Sequence, residues 1–403
     1  MIHNFTIRQN KLYIGAFSAK ELIEKYGSSL YVYDVSIIRR QYRALVNSIT
    51  YPKLQLHYAC KANTNPEIMR LLRKEGACIE VMSPGEIALA RKAGFTTEQI
   101  DFTSSNITKE ELAWLIEQKI TVNLDSLTQL QRWGELSPSS NISLRINQGI
   151  GASTSHDHWI TGGPKSKFGI DVRMIDEAKA LAQKYNLHIV GLHQHIGSDI
   201  LDEKIFIKAM QSLLTTAKTF SHLKYLDFGG GFGVAYKETD TPLNMKRLGE
   251  LITQTLTTFM QEYGEELLVK FEPGRYLVAE SGVLLAKVTE IKRNPERTFV
   301  GIDSGFNQLI RPAMYGSYQQ VVNASSIQGE EEVLSLAGNV CESGDQFARD
   351  RTMRSFQEDD ICAILDAGAY GYSMSSRYNM RSQPAEVLVD GKRSRLIRKR
   401  QDK

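Results

Sequence analysis

The sequence predicts an α/β protein built from two domains, a (β/α)8 TIM-like barrel and a β-rich second domain of the β-sandwich or Greek-key kind. Two observations support this fold class. From about residue 30 to residue 272, short apolar runs alternate with longer amphipathic stretches, which is typical of βαβ units and a parallel sheet. After residue 280, strand-like runs follow one another with few convincing helices between them. A chain of 403 residues is long enough for two or three domains.

Nine apolar runs of strand length define the repeat. They are Leu30–Asp34, Leu54–Tyr58, Ala77–Met82, Ile100–Thr103, Val122–Asp125, Ile142–Asn147, Ile189–His193, Leu223–Phe228 and Leu268–Glu272. Helical patterns lie between several of them, as at Asn65–Lys74 and Gly85–Ala93, and Thr108 with Glu111 forms a capping signature. About eight such units over ~250 residues favour a closed barrel. The pattern alone is also compatible with a doubly wound open sheet.

The stretch after residue 280 is divided by Gly, Asn, Asp and Ser into short strands. They are Gly282–Ile291, Arg297–Ile302, Glu332–Leu336, Ile361–Leu365 and Glu386–Val389. A further strand-like piece, Lys11–Ile14, is expected to join this second domain. We therefore predict an N-terminal segment 1–30 that belongs with the β domain, a barrel at 31–280 and a β-rich domain at 281–403.

The composition is that of an ordinary globular protein and narrows the choice of partners. Lys and Arg total 49 against 46 Asp and Glu, and a net charge of +3 is too small to indicate a nucleic-acid partner. No apolar run approaches the length of about 18 residues that a membrane-spanning helix needs, and Met1–Asn10 lacks the apolar core of a signal peptide. We expect a cytoplasmic protein without a membrane partner. The basic residues from Lys392 to Lys403 are interpreted as a solvated tail.

The cysteines and histidines do not indicate a metal site. The four cysteines stand at positions 60, 78, 341 and 362, and none forms a Cys-x-x-Cys pair. His193 and His195 are two residues apart and share one face of a strand, which suits metal binding. No carboxylate or thiolate stands near them in the sequence, and a histidine stacked on an aromatic ring is an equally physical interpretation. We predict that the protein has no metal cofactor.

Lys61 directly follows an apolar strand in the heptapeptide His57–Asn63. A lysine at the carboxyl end of a barrel strand can be desolvated enough to act as a nucleophile and to bind an aldehyde cofactor covalently. The alternative is a surface lysine that merely ends a strand. The heptapeptide alone favours that alternative.

Three other clusters add to the case for Lys61. The run Gly229–Gly231 can offer backbone N–H groups to a phosphate, or it can be a tight turn. In Glu272–Arg275, the carboxylate could pair with a protonated ring nitrogen and the arginine could clamp a carboxylate, or the two could form a surface salt bridge. Cys341 beside Glu342 could be a proton donor, although a lone cysteine is more often a buried hydrophobe. Together these features meet the requirements of pyridoxal phosphate chemistry.

The same residues belong to motifs that run along nearly the whole chain, from about Leu30 to Gln401. In order they are YACKAN at 58–63, SPGEIALARKAG at 83–94, TGGPKSKFGI at 161–170, HQHIGS at 193–198, DFGGGFG at 227–233, EPGR at 272–275, RPAMYGSY at 311–318, CESGD at 341–345 and GAYG at 368–371. In these motifs and in their order the chain resembles the bacterial diaminopimelate decarboxylases, which belong to the alanine-racemase-like, fold-type III class of pyridoxal phosphate enzymes. The motifs together are highly specific.

The resemblance implies a carboxy-lyase that uses pyridoxal 5′-phosphate to convert meso-2,6-diaminopimelate, a diamino dicarboxylic acid, into L-lysine and CO₂ in the last step of lysine biosynthesis. The cofactor-binding residues that it implies are Lys61, His195, Ser198, Gly231, Glu272, Pro273, Gly274, Arg275 and Tyr370. The substrate-binding residues that it implies are Arg275, Arg311, Tyr315, Glu342 and Tyr370.

The resemblance also assigns chemical roles. Lys61 would bind the cofactor covalently, His195 would stack on its ring, and Glu272 would keep its ring nitrogen protonated. Cys341 would be the proton donor and, with Lys61 and His195, would make up the catalytic set. Cys341 and Glu342 would reach the site from a second subunit, which implies a homodimer with shared active sites.

The distal end of this substrate distinguishes it from other amino acids, because it carries both a carboxylate and an ammonium group. Arg275 and Arg311 would match the carboxylate, and Glu342 the ammonium. A decarboxylase of ornithine, lysine or arginine is the alternative, and only these distal residues discriminate against it. An amino-acid racemase is less compatible, since racemases of this class place an arginine where Glu272 would stand. One departure from the family is Glu80, where a shorter aspartate is usual near the cofactor lysine.

Overall fold

The chain forms two compact units in the computed structural model, which describes residues 4–155 and 157–401. The first, called the barrel unit here, consists of Tyr42–Val234 and Pro242–Gly274. The second, called the β unit, consists of the described chain up to Gln41, Ala235–Thr241 and the described chain from Arg275 onwards. The domain boundaries expected near residues 30 and 280 stay a prediction about where independently folding domains begin and end.

The β unit begins with short antiparallel strands and a helix. These elements are β1 (Thr6–Arg8), β2 (Lys11–Ile14), β3 (Phe17–Ser18), α1 (Ala19–Tyr26) and β4 (Leu30–Asp34). Helix α1 starts in a capping box, because the Ser18 side chain accepts the N–H of Glu21 and the Glu21 carboxylate accepts the N–H of Ser18. The strand predicted at Lys11–Ile14 is confirmed as β2, and its residues Leu12 and Ile14 are fully buried in the core of this unit.

Eight parallel strands of the barrel unit close into a ring. In chain order the strands of this unit are β5 (Leu54–Ala59), β6 (Cys78–Val81), β7 (Ile100–Thr103), β8 (Thr121–Leu124), β9 (Asn141–Asn147), β10 (Ile170–Asp171), β11 (His188–His193), β12 (Tyr225–Asp227) and β13 (Leu268–Phe271). The pairings of β13 with β5 and of β8 with β9 close the ring, and the short β10 adds to β9. The predicted (β/α)8 barrel is therefore confirmed, and the open-sheet alternative is wrong.

Helices connect most of these strands. They are α2 (Val35–Ser48), α3 (Pro66–Glu75), α4 (Pro84–Ala93), α5 (Lys109–Glu117), α6 (Leu127–Leu136), α7 (Ile175–Lys184), α8 (Glu203–Ala217) and α9 (Met245–Tyr263). In α3, Asn65 caps the first turn, a proline occupies the first helical position, and Gly76 ends the helix with a left-handed φ of 108°. Thr108 caps α5 as predicted by accepting the N–H of Glu111 at 3.1 Å. No helix in the part of the chain that the structure describes combines the length and the apolar character that a membrane crossing requires.

Charged side chains occupy the barrel interior, where branched apolar residues are usual. Lys270 Nζ on β13 donates to Asp101 Oδ2 on β7 at 2.5 Å. Since β5 and β6 stand between these two strands in the ring, this contact crosses the interior. His57 Nδ1 lies 3.4 Å from the same oxygen, and Lys270 Nζ lies 4.1 Å from the centre of the Tyr225 ring. Because residues two apart on a strand share a face, Glu272 points into the barrel just beyond Lys270.

The β unit contains a second sheet built around its longest strand. The elements that follow the barrel are α10 (Arg275–Val278), β14 (Gly282–Arg293), β15 (Thr298–Ile302), α11 (Arg311–Tyr315), β16 (Val321–Asn323), β17 (Glu331–Ala337), β18 (Gln346–Arg354), β19 (Ile361–Ile364), β20 (Ala385–Asp390) and β21 (Arg393–Arg398). Strand β14 pairs antiparallel with β4, β15 and β19. The predicted β-rich second domain is confirmed as a sheet-rich unit, and β16, β18 and β21 were not foreseen.

Strand β4 corrects one element of the prediction. We expected Leu30–Asp34 to be the first strand of the barrel repeat, but it pairs antiparallel with β14 and parallel with β20. Eight of the nine predicted runs form the ring, and this one does not. All five of its residues are buried, as they are in a barrel strand, so its apolar sequence does not distinguish the two locations.

The basic C-terminal segment is also corrected. The solvated tail that we expected contains β21, which pairs with β20 along its length. Arg398 Nε lies 2.5 Å from a carboxylate oxygen of Glu386, which is fully buried. The last basic residue, Lys403, lies outside the described residues. Arg398 therefore belongs to the packed β unit, because a buried carboxylate such as that of Glu386 requires a cationic partner.

Candidate active site

Lys61 stands in a short turn of 3-10 helix at the end of β5. Its Nζ lies 3.0 Å from Glu80 Oε2 on the neighbouring strand β6. The Glu80 side chain is buried, whereas that of Lys61 is 29% exposed. The extra methylene of glutamate, compared with the usual aspartate, therefore leaves a carboxylate within hydrogen-bonding distance of the lysine. The amine is thus held in place on a side chain that is partly exposed.

Glu272 directly follows β13, and its two carboxylate oxygens have different surroundings. Oε2 lies 3.2 Å from His193 Nε2 on β11. Oε1 is buried and has no hydrogen-bond partner among the described residues. Burial raises the pKa of this carboxyl to about 8, and the nearby Glu80 carboxylate acts in the same direction. A buried acceptor without a partner is costly in a folded protein, so Oε1 is suited to a ligand that carries a polar hydrogen.

His193 and Asp227 stand beside Glu272. One donor atom from each of the three side chains lies within 4.8 Å of the others, and all three are buried. Burial lowers the pKa of His193 to about 4. Burial also raises the pKa of Asp227 well above its usual range, and Glu272 adds to this effect. No carboxylate stands near His193 in the sequence. The two that lie beside it in the structure, Asp227 and Glu272, come from β12 and from the end of β13. The absence of a metal cofactor stays a prediction.

The His195 ring is oriented by the glycine loop. Its Nδ1 accepts the backbone N–H of Gly230 at 3.2 Å. Burial lowers the pKa of this imidazole well below its usual range, and the Lys61 ammonium acts in the same direction. The neutral ring therefore carries its proton on Nε2, since Nδ1 is used as an acceptor.

The loop Gly229–Gly231 requires the absence of side chains. Gly229 and Gly231 have left-handed φ values of 67° and 108°. A Cβ at Gly230 would collide with the carbonyl oxygen of Glu272, and one at Gly231 would lie 2.8 Å from the carbonyl oxygen of Gly197. Ser198 is half-buried and directly follows Gly197. Such a bare backbone beside a hydroxyl is the environment that holds a phosphate in many proteins.

The backbone between Glu272 and Arg275 packs against the lysine turn. The Ala59 N–H donates to the carbonyl oxygen of Pro273 at 3.2 Å. A Cβ at Gly274 would lie 3.1 Å from the carbonyl oxygen of Ala59, so glycine permits this close approach. Pro273 and Gly274 are thereby placed at the base of the turn that carries Lys61.

In the β unit, two arginines share one aromatic ring. The guanidinium carbon of Arg275 lies 5.0 Å from the centre of the Tyr370 ring, and that of Arg311 lies 5.3 Å from it. Arg311 also lies 5.6 Å from the Tyr315 ring, and Arg275 donates to Tyr236 Oη at 2.8 Å. Both arginines are buried. Two positive charges held side by side by aromatic faces form a suitable site for a carboxylate.

Cys341 and Glu342 occupy the turn between β17 and β18, and both are exposed. The Cys341 N–H donates to Asn379 Oδ1 at 2.7 Å. Within the described residues, no hydrogen bond, ion pair or ring contact joins Cys341 or Glu342 to Arg275 or Arg311. The structure of one chain therefore joins four of the expected substrate-binding residues through ring contacts, Arg275, Arg311, Tyr315 and Tyr370, and Glu342 is outside these contacts.

The residues of the barrel unit fit pyridoxal phosphate. Lys61 supplies an amine on a partly exposed side chain, and the loop at Gly229–Gly231 supplies a bare backbone for a phosphate. Glu272 supplies a buried oxygen that has no hydrogen-bond partner in the described part of the chain, which matches a protonated ring nitrogen. The neutral His195 offers a flat ring. All four features belong to one unit.

Three contributors were missed by sequence reasoning. The contact between Lys270 and Asp101 is one, and the alternation of Lys270 with Glu272 at a strand end was an available signal. Tyr236 and Asn379 are the others. Each comes from a segment remote in sequence from the residue that it contacts, so no local pattern indicates it.

Comparisons with known proteins extend over nearly the whole chain. Residues 35–279 match the family described as pyridoxal-dependent decarboxylase, pyridoxal binding domain. A diaminopimelate decarboxylase of Methanothermobacter thermautotrophicus is 42% identical over 400 residues, which cover 97% of this chain and 93% of that protein. That of Bacillus subtilis is 35% identical and covers 98% of this chain and 95% of its own length. The crystal structure of the M. jannaschii diaminopimelate decarboxylase in complex with L-lysine superposes with a TM-score of 0.90 at 34% identity, covering 99% of this chain and 95% of that one.

Proposed function

We infer, because the chain belongs to the diaminopimelate decarboxylases of the pyridoxal-dependent decarboxylase family, that it converts meso-2,6-diaminopimelate into L-lysine and CO₂ with pyridoxal 5′-phosphate as cofactor. This reaction is the last step of lysine biosynthesis. The observation that carries the inference is the match over 97% of the chain, which includes the β unit with its arginine pair as well as the barrel.

We propose that Lys61 binds the cofactor covalently and that the backbone at Gly231 holds its phosphate, with Ser198, Pro273, Gly274, Arg275 and Tyr370 as further contacts. His195 stacks on the ring through its flat neutral imidazole. When bound, the cofactor supplies an electron sink for the pair of electrons left on the substrate carbon after CO₂ departs. Lys61 fits its role because its amine is anchored by Glu80 while its side chain stays partly exposed.

Glu272 is proposed to keep the ring nitrogen protonated. Its pKa of about 8 means that the cofactor-free barrel stores a proton on this carboxyl at neutral pH. A ring nitrogen placed at Oε1 can share that proton, and the ionised carboxylate then gains a cationic partner in a buried place. His193 holds the other oxygen and so orients the carboxyl.

The distal end of the substrate is proposed to bind Arg275, Arg311 and Tyr315 through its carboxylate and Glu342 through its ammonium. The buried arginine pair supports this assignment, because two guanidinium groups stacked on Tyr370 are a strong site for a carboxylate. Ornithine, lysine and arginine have no distal carboxylate, so an arginine pair would discriminate against them.

Cys341 is proposed as the acid that delivers a proton to the substrate carbon. We propose that Cys341 and Glu342 act in the active site of a second subunit, so that the protein is a homodimer with shared sites. The exposure of both residues in a single chain supports this arrangement. We also propose a cytoplasmic location, since all four cysteines are free and disulfides are rare in that compartment.

A substrate panel with product identification tests the function. Purified holoenzyme is incubated separately with meso-diaminopimelate, L-ornithine, L-lysine and L-arginine, and released CO₂ and the amine product are measured. We expect CO₂ and L-lysine in equal amounts from meso-diaminopimelate and at least about a hundredfold lower kcat/KM for the other three, since a buried arginine pair left without its carboxylate costs several kcal/mol. Release from ornithine or arginine without release from meso-diaminopimelate would favour the alternative decarboxylase.

A further inference from the structure

The turn that carries Cys341 and Glu342 is fastened by a second segment of the β unit. The Cys341 N–H donates to Asn379 Oδ1 at 2.7 Å. Two residues further on, an Arg381 nitrogen donates to the carbonyl oxygen of Asn339 at 2.8 Å. Two hydrogen bonds thus join residues 379 and 381 to residues 341 and 339, although about forty positions separate the segments in sequence.

Successive backbone N–H groups of this turn have different acceptors. The N–H of Val340 donates to Asp345 Oδ2 at 2.9 Å, and that of Glu342 donates to the carbonyl oxygen of Val340 at 2.9 Å. These two bonds lie within the turn itself. The bond from Cys341 to Asn379, between them, reaches outside the turn, as does the bond from the Asn339 N–H to the carbonyl oxygen of Ser304 at 2.9 Å. The bond to Asn379 fixes the backbone at the residue whose side chain is the proposed acid.

We infer that Asn379 is a positioning residue that orients the Cys341 thiol and the Glu342 carboxylate through the Cys341 backbone. The inference rests on the proposed function of these two side chains. Asn379 itself touches neither substrate nor cofactor in this role. It acts by limiting the rotation of the Cys341 peptide, so that the thiol and the next carboxylate keep a single direction.

The backbone of the second segment explains why asparagine stands at this position. Asn379 has a φ of 52° and Met380 a φ of 55°, so both are in the left-handed region. Asparagine tolerates this region better than most residues and also carries an acceptor on a short side chain. The segment is anchored nearby, because the Tyr378 ring stacks on Phe306 at 5.5 Å and the Ser376 N–H donates to the carbonyl oxygen of Asn307 at 2.7 Å.

The role is separable from stability. Asn379 and Cys341 are both exposed, so their hydrogen bond contributes little to the free energy of folding of the unit. Its effect is therefore expected on the orientation of the turn. Loss of this bond should lower kcat about three- to tenfold, a smaller effect than removal of the acid itself.

Two variants separate the acceptor from the backbone conformation. Asn379→Gly keeps the left-handed φ and removes the acceptor, whereas Asn379→Asp keeps both. Met380→Gly is the matched control, since Met380 has the same backbone conformation, is 76% exposed and offers no side-chain acceptor. Each holoenzyme is assayed with meso-diaminopimelate, and hydrogen exchange is measured for the peptide that contains residues 339–345.

The expected result is that Asn379→Gly lowers kcat about three- to tenfold and speeds amide exchange in the 339–345 peptide, while cofactor absorbance is unchanged. Asn379→Asp should recover most of kcat and of the exchange protection. Unchanged exchange in Asn379→Gly, or an equal loss of kcat in Asn379→Asp and Asn379→Gly, would overturn the inference. A failure of Asn379→Gly to fold would also overturn it, because Asn379 would then be needed for the fold.

The exchange measurement distinguishes this inference from the proposed function. If the wild-type protein does not decarboxylate meso-diaminopimelate, the proposed function fails, whatever the exchange of the turn. If the wild type is active and the exchange and kcat of Asn379→Gly both match it, only the positioning role fails.

Discussion

Lys270 and Asp101 form an ion pair across the interior of the barrel, with 2.5 Å between Nζ and Oδ2. Burial opposes the charge of both groups, but His57 and Lys270 together outweigh that penalty for Asp101, and Asp101 with Tyr225 outweighs it for Lys270. The pKa of Asp101 lies below its usual value and that of Lys270 above it. Lys270 precedes Glu272 by two positions on the same inward face. The ion pair therefore lies in the barrel interior next to Glu272, the proposed partner of the ring nitrogen.

Replacing Lys270 by methionine tests the structural importance of this pair. Lys270→Met keeps the length of the side chain and leaves Asp101 buried without its cation, which typically costs about 3–5 kcal/mol. We expect the free energy of unfolding in urea to fall by about that amount. The double variant Lys270→Met/Asp101→Asn is the control and should regain part of the loss, because the uncompensated charge is gone. If the free energy of unfolding of the single variant fell by less than about 1 kcal/mol, the ion pair would not be important for stability.

The stability of the cofactor-free protein should depend on pH through Glu272. Its folded-state pKa is about 8 and its ordinary value is 4.5, so between these values the unfolded chain has released a proton that the folded protein retains. Stability therefore falls as pH rises through this window. His193, with a folded-state pKa of about 4, contributes the opposite slope below about pH 6.5. The window from about pH 6.5 to pH 8 lies above the titration of His193, and Asp227 and Asp366, whose pKa values burial also raises, contribute a slope of the same sign as Glu272 there.

Glu272→Gln removes this titration and keeps the shape of the side chain. Between about pH 6.5 and pH 8, the unfolding free energy of the variant should gain up to about 2 kcal/mol relative to the wild type. Urea unfolding of both cofactor-free proteins across this range measures the difference. Asp227, Glu80 and Lys61 face the same carboxyl but are present in both proteins. Parallel curves for the two proteins would mean that Glu272 is already ionised at pH 6.5.

Cys341→Ser tests the proposed proton donor. A serine hydroxyl is a far weaker acid than a thiol and has nearly the same size, so proton delivery should slow while the fold is unchanged. We expect kcat to fall at least about tenfold with cofactor absorbance retained. Stopped assays of lysine formation give kcat, and the absorbance spectrum gives cofactor content. Full activity in the serine variant would remove Cys341 from the acid role.

Arg311→Met tests the assignment of the distal carboxylate. Arg311 is 3% exposed, so its loss removes a desolvated cation that a carboxylate would meet. We expect kcat/KM for meso-diaminopimelate to fall about 30- to 1000-fold, which corresponds to about 2–4 kcal/mol. The residual kcat/KM for L-lysine, which lacks the distal carboxylate, should change less than tenfold. Equal losses for both substrates would indicate that Arg311 supports the fold of the site and does not select the substrate.

Much of the barrel was predictable from sequence because each strand is a short apolar run bounded by helices. The physical limits of that approach are visible at three places. β4 is buried on both faces and therefore looks like a barrel strand, although it pairs in the second sheet. β18 contains many charged residues, and half of the residues of β21 are arginines, so neither has the apolar pattern of a strand. Pairing with a neighbour outweighs local preference at these edges.

Site residues were predictable from sequence where a single residue type at the end of a strand is enough to indicate the chemistry. Lys61, Glu272 and the glycine loop belong to this group, and the structure brings them into one unit. Contacts between remote segments were not predictable. The distance of 3.0 Å from Lys61 to Glu80 and the bond from Cys341 to Asn379 both depend on tertiary packing, which no local pattern encodes.

The assignment of Lys61 as the cofactor-binding residue is tested most directly by reductive trapping. Holoenzyme is treated with borohydride, digested, and the peptide that carries the reduced cofactor is identified by mass spectrometry. We predict that the cofactor is found on Lys61, and that Lys61→Ala lacks both the label and the absorbance band of the lysine-bound cofactor. A label on another lysine, or an unchanged band in Lys61→Ala, would contradict the assignment.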